Sequence, residues 1–144
     1  MIVIAANPYR GAVHPRQRVQ ALADAVAASG TPVRVVWDAA ERARLLGDPR
    51  ELADVRCVVA AGGDGTVASV INELAADVPL AVMGLGNENL FARALALPAD
   101  PLALAPLWTA LHATVQADLR GHQLATKASG GLTCPMHSGR IAAK

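Results

Sequence analysis

Between Cys57 and Leu74 the chain passes from an apolar stretch, Cys57 to Ala61, straight into Gly62-Gly63-Asp64-Gly65-Thr66. It then continues into Val67, Val70, Ile71 and Leu74, which share one side of a helix expected to end near Ala76. Strand, glycine loop and helix in immediate succession form the repeating unit of a parallel α/β sheet, and the rest of the sequence keeps that rhythm. Ile2 to Ala6 reads as a first strand, Pro15 to Ser29 as a helix with Val19, Leu22, Ala23, Val26 and Ala27 on one face, and Gly30 as its stop. Val33 to Trp37 reads as a second strand and Ala39 to Leu46 as a helix. A further short helix is expected near Glu51 to Ala53. The segment Cys57 to Ala61 is then the third strand and Leu80 to Met83 the fourth. Leu90 to Leu97 and Leu102 to Gln116 read as the last helices. The predicted class is α/β, an open and mostly parallel sheet flanked by helices.

Composition narrows the function. The chain has 144 residues, 53% of them hydrophobic and 17% charged, which suits one buried core. A formal net charge of +1, with Lys and Arg dispersed among the acids, provides no field for gripping a nucleic-acid backbone. Cys57 and Cys134 stand alone, with no zinc-type spacing, so neither a disulfide framework nor a structural metal is expected and a reducing, cytoplasmic setting fits. Met1 to Ala6 lacks the basic start of a signal peptide and reads as a strand. No apolar run reaches the roughly 18 to 20 residues of a spanning helix, so any membrane contact is expected to be peripheral.

In an open parallel sheet, ligands bind beyond the carboxyl ends of the strands. Three loops occupy such positions: Asn7 to Gly11 after the first strand, Gly62 to Thr66 after the third, and Gly84 to Asn89 after the fourth. They are expected to face one crevice. Consecutive glycines let backbone N–H groups turn toward an anion, and the following helix adds its positive end, so phosphate is the natural guest of Gly62 to Thr66. Thr66 is placed to cap the helix or touch a phosphate oxygen. Asp64 is the unusual member, because a carboxylate beside phosphates requires a Mg²⁺ ion or an acceptor proton between them. The competing reading is a plain Gly/Asp turn in which Asp64 caps the helix. No Gly-Lys-Ser/Thr follows, so the loop is not a Walker A loop, and it carries no Gly-x-Gly-x-x-Gly fingerprint. Trp37 and Trp108 read as core or domain-contact residues and not as base-stacking platforms, and Tyr9 as a candidate either for stacking on adenine or for packing on the sheet edge. The four histidines show no metal-site spacing.

Asn7-Pro8, Gly62-Gly63-Asp64-Gly65-Thr66 with Asn72, and Leu85-Gly86-Asn87-Glu88-Asn89 with Phe91-Ala92-Arg93 together resemble the catalytic domain of the diacylglycerol kinase and sphingosine kinase family. The resemblance covers about residues 1–119. It implies a fold like the N-terminal domain of phosphofructokinase and NAD kinase, and ATP-dependent phosphorylation of a lipid hydroxyl with Mg²⁺ accompanying ATP. It also implies Asn7, Gly62, Gly63, Asp64, Gly65, Thr66, Gly86 and Asn89 as nucleotide contacts, Asp64 as the catalytic residue, and no metal-ligating side chain. Members of the family continue into a β-rich domain that completes the lipid cleft and that this chain does not resemble. Residues 120–144 have no period of 2 or 3.6 and are expected to form an irregular or disordered tail, as in a truncated or frameshifted gene; the alternative is a strand pair around Gln123 to Thr126 and Gly131 to Cys134. Two further readings stand beside the lipid kinase: an NAD-kinase-like enzyme, whose family shares Gly-Gly-Asp-Gly-Thr, and a non-catalytic nucleotide-binding remnant.

Overall fold

In the computed structural model, which describes residues 1–7 and 14–107, four strands form one all-parallel sheet in the order β2-β1-β3-β4. They are β1 (Ile2–Ala6), β2 (Val33–Val36), β3 (Cys57–Gly62) and β4 (Leu80–Gly84). Ile4 pairs with Val35 on one side and Val59 on the other, and Val59 pairs in turn with Ala81. The β1 and β3 strands are central and buried at every residue, which is why both read as unbroken apolar runs instead of alternating ones.

The helices are α1 (Pro15–Ala28), α2 (Ala39–Gly47), α3 (Asp64–Glu73), α4 (Leu90–Ala94) and a helical run α5 over residues 101–107. From β1 the chain moves outward to β2, then back across β1 to β3, and on to β4. Right-handed crossovers in opposite directions put their helices on opposite faces of the sheet. The buried side chains divide accordingly. Ile2, Ile4, Cys57, Val59 and Met83 pack with Val19, Leu22 and Val26 of α1 and Leu104 of α5. Val3, Ala5, Val58, Ala60 and Val82 pack with Leu45 and Leu46 of α2, Val67 and Val70 of α3, and Ala92 of α4. Alternate strand residues thus feed two cores, as the pleat requires.

The local stops are chemical. Pro15 opens α1 at a position where its missing N–H costs no bond, and Gly30 (φ 81°) follows the helix with its N–H donated to the Ala27 carbonyl. Asp38 caps α2 by accepting from the Glu41 N–H at 2.8 Å. Several expected boundaries shift; α1, α2, β3 and β4 each end within one residue of the expected position. The β2 strand stops at Val36, one residue before Trp37. Residues 49–54 form turns in place of the helix expected near Glu51 to Ala53, with Asp48 accepting from the Arg50 N–H in an Asx turn that competes with helix formation. The α3 helix ends at Glu73, because Leu74 is extended and the Ala75 N–H goes to the Leu46 carbonyl of α2. The α4 helix is only five residues long, and Ala96 takes a positive φ of 51° ahead of Pro98. The expected helix to Gln116 is described as far as residue 107. Most of the loop after β1, including Tyr9, and the tail 120–144 with its alternative strand pair lie outside the described residues.

Candidate active site

The strand order reverses between β1 and β3, since the chain leaves β1 toward β2 and leaves β3 toward β4. Loops at that point diverge to opposite faces and open a crevice beyond the carboxyl ends. Asn7 stands at the end of β1, where its N–H donates to the Ala61 carbonyl of β3 at 3.0 Å. Its side-chain Nδ2 reaches the Thr66 hydroxyl at 3.4 Å. The first and second loops are thereby joined at the mouth of the crevice.

Gly62 and Gly86 are dictated by close approach. A Cβ on Gly62 would lie 2.3 Å from the Thr66 Oγ1, so the threonine side chain folds into space that only glycine leaves. A Cβ on Gly86 would lie 2.7 Å from the Gly63 Cα, backbone against backbone, and the Leu85 N–H donates to the Gly62 carbonyl at 2.9 Å. The second and third loops therefore touch along their main chains. Gly65 differs: it is exposed, and a Cβ there would meet nothing within 4 Å.

Asp64 occupies the first turn of α3, yet its carboxylate crosses to another helix. One oxygen accepts from the Leu90 N–H and the other from the Phe91 N–H, both at 3.1 Å. These are first-turn donors of α4, which has no cap of its own because the Asn89 side chain is engaged elsewhere. Asn89, left-handed at φ 49°, accepts from the Gly86 N–H at 2.7 Å and donates to the Gly86 carbonyl at 2.6 Å. The amide of Asn89 thus shapes the third loop, and Asp64 fastens that loop's helix to the glycine loop. The N-terminus of α3 itself starts on Gly63, which supplies no side chain to satisfy the N–H groups of Asp64 and Gly65.

A cleft of about 480 Å³ opens beside this N-terminus. It is lined by Ala6 and Asn7 from β1, by Gly65, Thr66 and Ser69 from α3, by Trp37, Asp38, Ala39 and Arg42 at the β2-α2 junction, and by Arg16 of α1. Of the residues expected at the site, Asn7, Gly65 and Thr66 border the cleft; Asp64 is not part of its lining and faces the start of α4, and Gly86 and Asn89 brace the glycine loop. The β2-α2 junction was not singled out in the sequence. Its signal was the crossover order, which sets the carboxyl end of β2 next to that of β1. Arg42 is nearly buried, and its guanidinium binds Glu73 of α3 through two bonds of 2.7 Å. The hydrogen bond to Glu73 raises the Arg42 pKa above its ordinary value, against the opposing effect of burial. Among the described residues no cluster of three or more His, Cys, Asp or Glu side chains is placed to hold a metal ion.

The family model of the diacylglycerol kinase catalytic domain matches residues 1–125. The chain belongs to that family. A probable lipid kinase YegS-like from Xanthomonas axonopodis pv. citri is 39% identical over 113 residues, covering 69% of this chain and 36% of the relative. A probable lipid kinase YegS-like from Pseudomonas fluorescens is 37% identical over 92 residues, covering 60% and 30%. The chain thus spans about a third of the length of the curated relatives it matches. The crystal structure of a diacylglycerol kinase from Bacillus anthracis str. Sterne shares the fold, with a TM-score of 0.60 at 23% identity, over 75% of this chain and 39% of that one. Membership in this kinase family matches the resemblance carried by Asn7-Pro8, Gly62 to Thr66 and Leu85 to Asn89. Among the described residues no helix is long and apolar enough to cross a membrane.

Proposed function

We propose that this chain is the nucleotide-binding part of an ATP-dependent lipid kinase, with the α3 N-terminus as its phosphate site. The observation that carries the reading is the junction of Gly62 to Thr66 with its neighbours. Asn7 lies at Thr66, Gly86 abuts Gly63, and Gly65 faces open cleft beside first-turn N–H groups that no capping side chain satisfies. Such N–H groups, aligned with the helix dipole, favour a phosphate oxygen. Gly65 permits a ligand to approach the backbone closely, while the Ser69 hydroxyl one turn along the cleft donates to the Gly65 carbonyl at 3.0 Å. Asn7, Gly62, Gly63, Gly65 and Thr66 are the proposed phosphate-side residues, with Gly86 and Asn89 as their support.

Mg²⁺ keeps several waters and takes phosphate oxygens as its main ligands, so it would arrive on the nucleotide, and Asp64, whose oxygens accept the Leu90 and Phe91 N–H groups, is not assigned to hold it. Magnesium bound with ATP supplies neutralisation of the charge on the transferring phosphoryl group. Asp64 is held rigidly by the Leu90 and Phe91 N–H groups, and each of its oxygens retains a second lone pair. We assign it to accept the proton of the lipid hydroxyl. The lipid-kinase names of the curated relatives favour a lipid acceptor over NAD; we assign that acceptor to the diacylglycerol or sphingoid-base class, met at a membrane surface.

Calorimetric titration with MgATP, followed by transfer of labelled phosphate to vesicles containing diacylglycerol or sphingosine, tests the proposal. Binding is the expected result for this chain, and transfer is expected when it is joined to the β-rich domain with which members of the family complete the lipid cleft. Binding without transfer even then would identify a nucleotide-binding module, and absence of binding would remove the phosphate site.

A further inference from the structure

The glycine loop accounts for one end of the cleft only. At the other end lie Trp37, directly after β2, and Arg16, whose guanidinium carbon sits 4.9 Å from the centre of the Trp37 ring. Trp37 is half-buried and packs against the core on the α1 face of the sheet, so the indole is fixed in place while part of it borders open cleft. Arg16 is exposed, in the first turn of α1, and makes a cation–π contact of the kind worth little at a solvent-exposed site. An anchored aromatic plate covered by a displaceable cation thus shares one cavity with backbone donors suited to phosphate.

We infer that Trp37 is the platform on which the nucleotide base stacks, with Arg16 covering the ring until a base arrives. This rests on the phosphate site proposed above and extends it by assigning the base. A cleft of about 480 Å³ lies within the range of small-molecule sites, roughly 300 to 1,000 Å³. The base takes the place of the Arg16 guanidinium against the indole, and the freed cation becomes available to the phosphate end. Every base has a π-face, so stacking supplies affinity without strict selection among bases. Asp38 is exposed at the same end, and its carboxylate already accepts the Glu41 N–H, so base selection by Asp38 is not part of the inference.

The test uses the whole chain with Trp108 replaced by Phe, so that Trp37 is the only tryptophan emitter. MgATP and Mg-tripolyphosphate, which lacks a base, are titrated in parallel. ATP is expected to quench Trp37 emission and to bind roughly tenfold or more tightly than tripolyphosphate, the size that base stacking on an aromatic side chain has by alanine substitution. Trp37→Ala is expected to reduce ATP affinity to that of tripolyphosphate while leaving tripolyphosphate binding unchanged, and Trp37→Phe to recover most of the loss. If Trp37→Ala does not fold, the quench and the ATP-to-tripolyphosphate ratio in the Trp37-containing chain still decide. Equal affinities for the two ligands, or saturation without any change in Trp37 emission, would overturn the base platform and leave the phosphate site standing. Failure of both ligands to bind would overturn the two together.

Discussion

Replacing Asp64 by Ala removes both acceptors of the Leu90 and Phe91 N–H groups, and α4 has no other cap. Loss of a helix cap costs about 0.5–2 kcal/mol, and hydrogen bonds to a charged acceptor lie at the upper end of the hydrogen-bond scale. Because the Leu90 bond is exposed to solvent while the Phe91 bond is partly buried, we expect the total to be about 1–2 kcal/mol, near the upper part of the cap range. For a chain of this length that is a fall of about 3–7 °C in Tm, measurable by circular dichroism. Amide exchange should localise the effect, with protection lost at Leu90 and Phe91 and retained at β1 and β3. Asp64→Asn keeps one acceptor oxygen and should lose roughly half as much stability. Its effect on phosphate transfer should nonetheless be complete, since an amide cannot accept the hydroxyl proton. If Asp64→Ala leaves both Tm and the Leu90 and Phe91 amides unchanged, the carboxylate does not fasten α4. If Asp64→Asn transfers phosphate normally, Asp64 is not the proton acceptor.

Arg42→Ala leaves Glu73 without its partner across α2 and α3 and should cost about 2–3 kcal/mol in urea unfolding, somewhat below a fully buried pair because Glu73 keeps some solvent access. Arg42→Lys should recover only part of that, as an ammonium cannot bind both oxygens in one plane; full recovery would show that charge alone matters. Burial pushes the Cys57 thiol up to about 12, so alkylating reagents at pH 8 should leave it unmodified in the folded chain. Because that thiol binds its proton more tightly when folded, its contribution to stability is complete below the unfolded thiol's pKa near 9 and declines as the pH rises toward 12. Cys57→Val should flatten this alkaline decline relative to the unaltered chain, and an unchanged slope would contradict the assignment.

The sheet was legible because its signals are local. Ile2–Ala6 and Cys57–Gly62 are apolar throughout, Pro15 and Gly30 bracket α1, and the stripe Val19, Leu22, Ala23 and Val26 is buried as its spacing implies. The glycine loop was legible for the same reason. What escaped were relations between distant segments. Nothing near Asp64 in sequence marks Leu90 and Phe91 as its partners, 26 and 27 residues away. The bracing role of Asn89 depends on a left-handed backbone that the loop imposes. Trp37 read as a core residue, and it does pack on the core, but only the β2-β1-β3 order brings it to the cleft that Gly65 and Thr66 border. The helix expected near Glu51 to Ala53 was lost to the Asx turn at Asp48, a case of side-chain bonding overriding a weak helical pattern.

Gly65→Ala tests the phosphate site most directly, because stability and binding should move apart. Alanine is favoured over glycine within a helix by roughly 1 kcal/mol, and the added methyl meets no protein atom within 4 Å, so the variant should unfold at the same temperature or higher. The methyl enters the cleft beside the first-turn N–H groups, however, and calorimetry should show MgATP binding at least tenfold more weakly than to the unaltered chain, a difference of about 1.4 kcal/mol. Equal MgATP affinity in the two proteins would mean that the glycine loop does not hold the phosphates.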